Sequence, residues 1–204
     1  GQRGKTWVAE KDSSLILSVV INPQPLPITQ QFQLSACVAV SFCEFFSRYA
    51  GEDTCIKWPN DIYWQDRKAG GILVENVISS TSWQWAIAGG GININQPSFS
   101  AELKNPVSLL QVTGRTFQTV DLAKEVCHIL DQHFTELIKS GFDHIYQLYT
   151  QHLYKKGQAV RFKKGSRTFE AKVLNVSRQG GLIVQHATEE EFMWGEVEWL
   201  LPAL

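Results

Sequence analysis

Residues 57–75 read Lys57-Trp58-Pro59-Asn60-Asp61-Ile62-Tyr63-Trp64-Gln65-Asp66-Arg67-Lys68-Ala69-Gly70-Gly71-Ile72-Leu73-Val74-Glu75. Pro59-Asn60-Asp61 signals a turn, because proline presets one backbone angle and short polar side chains bond back to their own backbone. The flanks are rich in β-branched and aromatic residues, so 54–58 and 62–64 read as strands. A polar tip, 65–68, reverses the chain into a further strand over 71–78. Lys68 thus stands at the head of a strand, beside glycines that let a ligand approach the backbone closely. A lysine held beside exposed amides suits an anion. The same residues also fit an ordinary hairpin with a solvated lysine at its tip, and this stretch alone leaves both readings open.

Working outward, the turn 79–82 leads to a strand over 83–88, then to Gly89-Gly90-Gly91 and Ile92-Asn93-Ile94-Asn95. This is a meander of sequential antiparallel strands. Upstream, 15–21 is a short apolar run that ends at Asn22-Pro23 and reads as a buried strand; Pro23, Pro25 and Pro27 make a loop. From Gln31 to Ala50, Leu34, Val38, Phe42, Phe45, Phe46 and Tyr49 mark one helical face, and Gly51 can cap it. Downstream, 96–118 is irregular, and loops of that length are usually functional or disordered; its length suggests a lid. Asp121 is read as the N-cap of a second long helix with Leu122, Val126, Ile129, Leu130, Phe134, Leu137 and Ile138 on its apolar face and Gly141 at its end. Residues 142–154 read as a third, aromatic helix. After Lys155-Lys156-Gly157 the texture becomes short alternating strands with glycine turns, which suggests a small SH3-like barrel. A boundary near 155 divides the chain into 1–154 and 155–204.

The bulk numbers fit that outline. In 204 residues, 44% are apolar, enough for a sizeable core and too many for a disordered chain. Nineteen basic against 20 acidic residues leave a net charge of −1, with no electrostatic footprint for duplex nucleic acid. Cys37, Cys43, Cys55 and Cys127 form no C-x-x-C pair, which favours scattered buried thiols in a reducing compartment over a metal or redox site. The five histidines show no metal-binding spacing and are expected to be partly solvated; no residue is assigned to a metal. No apolar run reaches the roughly 18 residues of a membrane span, and no secretory signal is visible, so the cytoplasm is the expected location.

With these segments in view, the chain resembles the biotin protein ligases. Their signature K-W-P-N-D-[IL], followed by R-K-x-x-G-I-L-V-E, matches Lys57 to Ile62 and Arg67 to Glu75. Gly1-Gln2-Arg3-Gly4-Lys5 with Trp7 is similar to the second half of the family's G-R-G-R-x-G-R-x-W loop. Gly91-Ile92-Asn93-Ile94-Asn95 and Asn105-Pro106-Val107-Ser108-Leu109 are similar to its G-I-G-I-N-V-N strand and N-x-x-S-L stretch. Gln2 stands where the family places an arginine that touches the adenylate, with Arg3 next. The match opens inside the first loop, so the chain is expected to lack an upstream strand, a helix and part of that loop.

The resemblance implies an α/β (α+β) mixed-sheet catalytic domain related to class II aminoacyl-tRNA synthetases and lipoate ligases, followed by an SH3-like barrel. It implies two steps. Biotin's carboxylate attacks the α-phosphate of ATP, with Mg²⁺ on the outer phosphates, giving biotinyl-adenylate and pyrophosphate. A lysine of a biotin carboxyl carrier domain, of the acetyl-CoA carboxylase type, then displaces AMP. Two anions must meet in the first step, at a cost of about 1 kcal/mol at ~4 Å in water and more in a drier site. The resemblance makes Lys68 the catalytic cation that offsets this repulsion. It assigns Gly1, Gln2, Lys68, Gly70 and Gly71 to biotin, and Arg3, Trp7, Lys57, Asn60, Asp61 and Asn93 to the nucleotide. Family members often pair through sheet edges, so a homodimer is compatible with it. Nucleic acid is not an expected partner. The tail is expected to help dock the carrier or close the site. Two rivals remain: a lipoate or octanoate ligase on the same fold, and a non-enzymatic SH3-like binder of nucleic acid or peptide through Arg161, Lys163, Lys164 and Arg167.

Overall fold

A computed structural model describes residues 13–79 and 82–202. Its centre is helix α1 (Gln31–Ala50), buried on nearly every side from Leu34 to Phe46. A helix that apolar must be covered all round, and here a sheet and the later helices share that task. The sheet comprises β1 (Ser14–Ile21), β2 (Thr54–Lys57), β3 (Asp61–Trp64), β4 (Arg67–Ser79) and β5 (Ser82–Asn93), in the order β1-β5-β4-β3-β2 among the described residues. Its strand pairings are antiparallel; parallel geometry enters at two isolated bridges, Ile56 with Leu153 and Lys68 with Pro106.

The two-residue period sorts the faces. Leu15, Ile56, Ile62, Ile72 and Ile92 are buried against the helical layer. Ile16, Val20, Val77 and Trp85 lie on the opposite face and are exposed. Gly90, paired with Ile72, sits directly under Phe42 of α1, and a methyl group there would overlap the ring. The run Gly89-Gly90-Gly91 is therefore strand, and β5 starts one residue before the expected 83–88 and continues five residues beyond it.

The stretch 96–118 is not one irregular loop. It contains α2 (Leu109–Thr113), closed at its start by a capping box between Ser108 and Gln111 and at its end by Gly114 in the left-handed region. Helix α3 (Thr119–Ser140) starts before Asp121, which lies in its first turn, where a carboxylate favours the helix dipole without being the cap. Its apolar face is as expected, with Leu122, Val126, Ile129, Leu130 and Leu137 buried. Helix α4 (Asp143–Gln151) is shorter than the aromatic pattern suggests, because the chain beyond it goes extended and binds the β2 edge: Ile56 donates to His152 O at 2.8 Å and Tyr154 donates to Ile56 O at 2.9 Å.

The second sheet comprises β6 (Ala159–Lys164), β7 (Arg167–Val176), β8 (Leu182–Gln185), β9 (Glu189–Phe192) and β10 (Glu198–Trp199), ordered β10-β6-β7-β8-β9 and antiparallel among the described residues. Strand β9 arises in the acidic run Glu189-Glu190-Glu191, where three like charges obscure the strand signal and Phe192 is the buried anchor. Phe162, Val173, Leu182, Val184 and Phe192 fill the interior, and their cluster is continuous with the core around α1. The join is specific: Trp58 Nε1 donates to Gly180 O at 2.9 Å, and Tyr146 OH donates to Val176 O at 2.7 Å. Gly180 has φ +96° and lies over Phe32, whose ring would be 2.6 Å from any Cβ placed there.

Candidate functional site

Lys68 leaves β4 where the strand is irregular. Ile62 pairs with Gly70 but Tyr63 pairs with Lys68, so Ala69 is an extra residue on β4, a bulge. In a regular strand Lys68 and Gly71, three apart, point to opposite faces; the extra residue inverts that parity. Both then share the open face with Asp61, the Cα partner of Gly71. Lys68 Nζ donates to Asp61 Oδ1 at 2.6 Å, with the two side chains about a third and a quarter exposed (34% and 23%). A Cβ on Gly71 would stand 3.2 Å from that carboxylate oxygen and 3.5 Å from the ammonium, so glycine leaves the space above the pair open. On the other face, a Cβ on Gly70 would overlap Ile92 and lie 2.6 Å from Gly91 O, which makes Gly70 a packing requirement.

The backbone of Lys68 is held from its far side. Beyond the end of β5, the segment 105–107 runs beside it: Lys68 N donates to Asn105 O at 2.6 Å, and Val107 N donates to Lys68 O at 2.9 Å. Asn93, buried, donates through Nδ2 to Val107 O at 3.1 Å and to Lys68 O at 3.4 Å. Asn60 Nδ2 donates to Ile72 O, while Ile72 N donates to Asn60 O at 3.0 Å. The amide donors of Asn60 and Asn93 are thus spent on the scaffold, and both residues flank the Lys68–Asp61 pair. Arg67 donates to Pro106 O from Nε at 3.1 Å and from Nη2 at 2.6 Å, and Nη2 also reaches Gln111 Oε1 at 2.9 Å. The sequence reading gave Arg67 no role, although it lies in the signature.

Lys57, at the end of β2, lies toward the second sheet. Its ammonium lies 5.5 Å from the ring centroids of both Tyr63 and Trp199, so its aromatic contacts join the two sheets. Gly1, Gln2, Arg3 and Trp7 lie outside the described residues. Of the expected site residues, the structure brings together Lys68, Asp61, Gly70 and Gly71, with Asn60 and Asn93 behind them.

Of the expected buried thiols, Cys37 and Cys43 are buried and Cys55 partly so, but Cys127 on α3 is exposed; burial pushes Cys37 and Cys55 up to about 12 and raises Cys43 further. His133 departs from the solvated expectation. It is buried between helices, with Nε2 2.7 Å from Glu44 Oε2. Burial raises the Glu44 carboxyl, but hydrogen bonds from Arg48 and His133 outweigh it and hold the group below its usual range. Among the described residues no group of three His, Cys, Asp or Glu is arranged to hold a metal ion, and no helix is long and apolar enough to cross a membrane.

At the junction of the sheets, Asp66 accepts from Lys155 Nζ at 2.6 Å and from Tyr154 OH at 2.6 Å. The hydrogen bond from Lys155, then that from Tyr154, hold its carboxyl below the usual value. A depressed carboxylate contributes stability that is complete above the unfolded pKa of about 3.9 and is lost as pH falls through the folded value. Asp66→Asn should therefore be less stable than the wild type near about pH 7, and the gap in urea midpoint should close towards about pH 3. A gap that stays constant over that range would mean that the charge of Asp66 contributes nothing.

Comparison with known proteins follows the same lines. Residues 1–93 match the biotin/lipoate A/B protein ligase family. The bifunctional ligase/repressor BirA of Bacillus spizizenii is 30% identical over 191 residues, and that of Bacillus subtilis is 29% identical; each alignment covers 91% of this chain and 58% of the relative. The chain thus spans a little over half the length of these relatives. Among solved structures, the biotin protein ligase of Aquifex aeolicus in complex with biotin and ATP superimposes with a TM-score of 0.82 at 23% identity, over 98% of this chain and 83% of that one. That likeness extends across both sheets and fixes the fold. The family match thus takes in the residues that carry the bulge and its lysine, and over nearly its whole length the chain is similar to curated biotin ligase/repressors.

Proposed function

We propose that the chain carries the catalytic unit of an ATP-dependent biotin protein ligase, which makes biotinyl-adenylate and passes biotin to a lysine of a biotin carboxyl carrier domain. The observation that carries this reading is the Lys68–Asp61 pair on the open sheet face, above the gap left by Gly71. Two relatives named as biotin–[acetyl-CoA-carboxylase] ligases, from Paracoccus denitrificans and Mycobacterium tuberculosis, support the choice of carrier.

In this reading Lys68 is the catalytic residue. Its ammonium exchanges Asp61 for the biotin carboxylate and the α-phosphate, and lowers the repulsion between them. The missing side chains at Gly70 and Gly71 serve different ends, packing and ligand access. Asp61 holds the Lys68 ammonium aimed before substrate arrives. A Mg²⁺ ion brought by ATP would be held by the phosphates and Asp61, and would neutralise charge on the outer phosphates. Asn60 and Asn93 fix the backbone around the nucleotide, and Lys57 acts at a distance by holding β10. Gly1, Gln2, Arg3 and Trp7 keep their roles toward biotin and nucleotide as part of the same proposal. So do the division into a catalytic unit, 1–154, and a cap, 155–204, a cytoplasmic location, and a homodimer paired through sheet edges.

The rival of a nucleic-acid or peptide binder loses its footing, because acids answer the bases across the second sheet. Arg161 is the register partner of Glu170 and Lys163 that of Glu198, and Lys164 bonds Glu190 at 3.2 Å. The acid specificity is tested directly. With MgATP and labelled pyrophosphate, biotin should drive label into ATP, while lipoate and octanoate should not. Exchange driven by lipoate or octanoate in place of biotin would overturn the assignment and keep the fold.

A further inference from the structure

Lys68 pairs with Tyr63 of β3, but on its other side its backbone has no strand partner, because β5 ends at Asn93 and pairs only as far as Gly70 on β4. The segment 105–107 fills that place as a short parallel bridge centred on Pro106. Asn105 O and Val107 N serve Lys68, so the carbonyl of Pro106 points away from it. Proline suits that position, since it presents no outward N–H to satisfy. The one outward group left, Pro106 O, receives both Nε and Nη2 of Arg67. Through Gln111 the same guanidinium reaches the capping box of α2, whose Gln111 Nε2 in turn donates to Pro97 O at 3.0 Å, and Ser108 Oγ donates to Gln96 O at 2.6 Å. The strap also meets the end of the second sheet, where Asn105 Nδ2 donates to Pro202 O at 3.0 Å.

We infer that Arg67 is a positioning residue for Lys68: its planar fork locks the 105–107 strap onto the backbone of the neighbouring residue and so fixes where the ammonium stands. Arg67 acts through the strap and touches no reacting atom. The inference rests on the proposed adenylation chemistry for its kinetic consequence, and on the bridge geometry alone for its structural one. A guanidinium is the fitting group because two hydrogen-bond directions toward one carbonyl, plus a third toward an amide oxygen, need a rigid planar donor. A lysine ammonium offers a single point charge and can hold one of the two acceptors well.

The test compares Arg67→Ala and Arg67→Lys in the full chain by two independent readouts. Hydrogen exchange reports the strap: in Arg67→Ala the amides of Lys68 and Val107 should exchange about tenfold faster or more, while those of α1 and β5 keep their protection, a local opening rather than a global one. Biotin-dependent pyrophosphate exchange reports the chemistry: kcat should fall by about 100-fold with KM for biotin nearly unchanged, the pattern of a misplaced catalytic group. Arg67→Lys should lie between Arg67→Ala and the wild type in both. Unchanged protection at Lys68 and Val107 would overturn the inference, as would loss of protection throughout α1 and the sheet, which would make Arg67 a general structural residue. If the wild-type chain shows no biotin-dependent exchange, it is the functional reading that fails, and the amide protection still decides whether Arg67 holds the strap.

Discussion

Replacing Lys68 by alanine is expected to slow biotin-dependent adenylate formation by about 100- to 1,000-fold, the range for removing one preorganised charge from a transition state. The fold should survive. The Lys68–Asp61 pair is partly open to solvent, at 34% and 23% exposure, and such pairs contribute about 0–1 kcal/mol. For a chain of this size that is a shift of at most about 2–4 °C in Tm. The separation between a large kinetic loss and a small thermal one is the point of the measurement. Lys68→Arg should recover little of the rate, because a planar guanidinium cannot occupy the position of a compact ammonium beside Asp61 and Gly71. Pyrophosphate exchange by Lys68→Ala at the wild-type rate would remove Lys68 from the chemistry and with it the case for this site.

Much of the fold could be read before any coordinates, and the parts that could not share a cause. Helix α1 and strands β1 to β3 were legible from their apolar residues, whereas β4 starts at Arg67, four residues before the expected start at Gly71. Strand β5 was read too short, since Gly89 to Gly91 carry no side chains to show a period, and only the contact between Gly90 and Phe42 explains them. Helix α2 left a signal that went unread, a serine and glutamine three apart with glycine after them, which is a capping box and a C-cap compressed into one turn and a half. In the site, Lys68, Asp61, Gly70 and Gly71 came from the motif. The bulge at Ala69 did not, because register is a property of two strands and one strand's sequence does not state it. Arg67 was missed for a similar reason: its acceptors lie 39 and 44 residues away, at Pro106 and Gln111. Lys57 and Trp58 show the converse. They belong to the same motif as Lys68, yet their contacts reach Trp199 and Gly180 and so tie the motif to the second sheet.

Ending the chain at Lys156 should abolish cooperative folding of the remainder, and not only the transfer of biotin to its carrier. A tail that merely docked the carrier would be dispensable for adenylation, and the strand-rich texture of 157–204 fits such an appendage. The packing argues otherwise. The buried apolar cluster runs without a break from α1 into Val160, Phe162, Val173 and Leu182. Trp58, now 2% exposed, would lose the Gly180 carbonyl that its indole N–H serves, and Phe32 would lose the cover of Gly180. Tyr154 would lose Trp199, 5.9 Å away between ring centroids, and Tyr146 would lose the acceptor of its hydroxyl. Stripping the surroundings of even one buried aromatic is comparable to deleting it, about 3–5 kcal/mol, and several are affected at once. Domains of this kind are stable by only about 5–15 kcal/mol. Thermal melting followed by near-ultraviolet dichroism decides it: the truncated chain should show no sharp transition and should aggregate at concentrations where the full chain does not. A truncated chain that melts cooperatively and still exchanges pyrophosphate would establish two independent units, and would return the second sheet to the role of a docking cap.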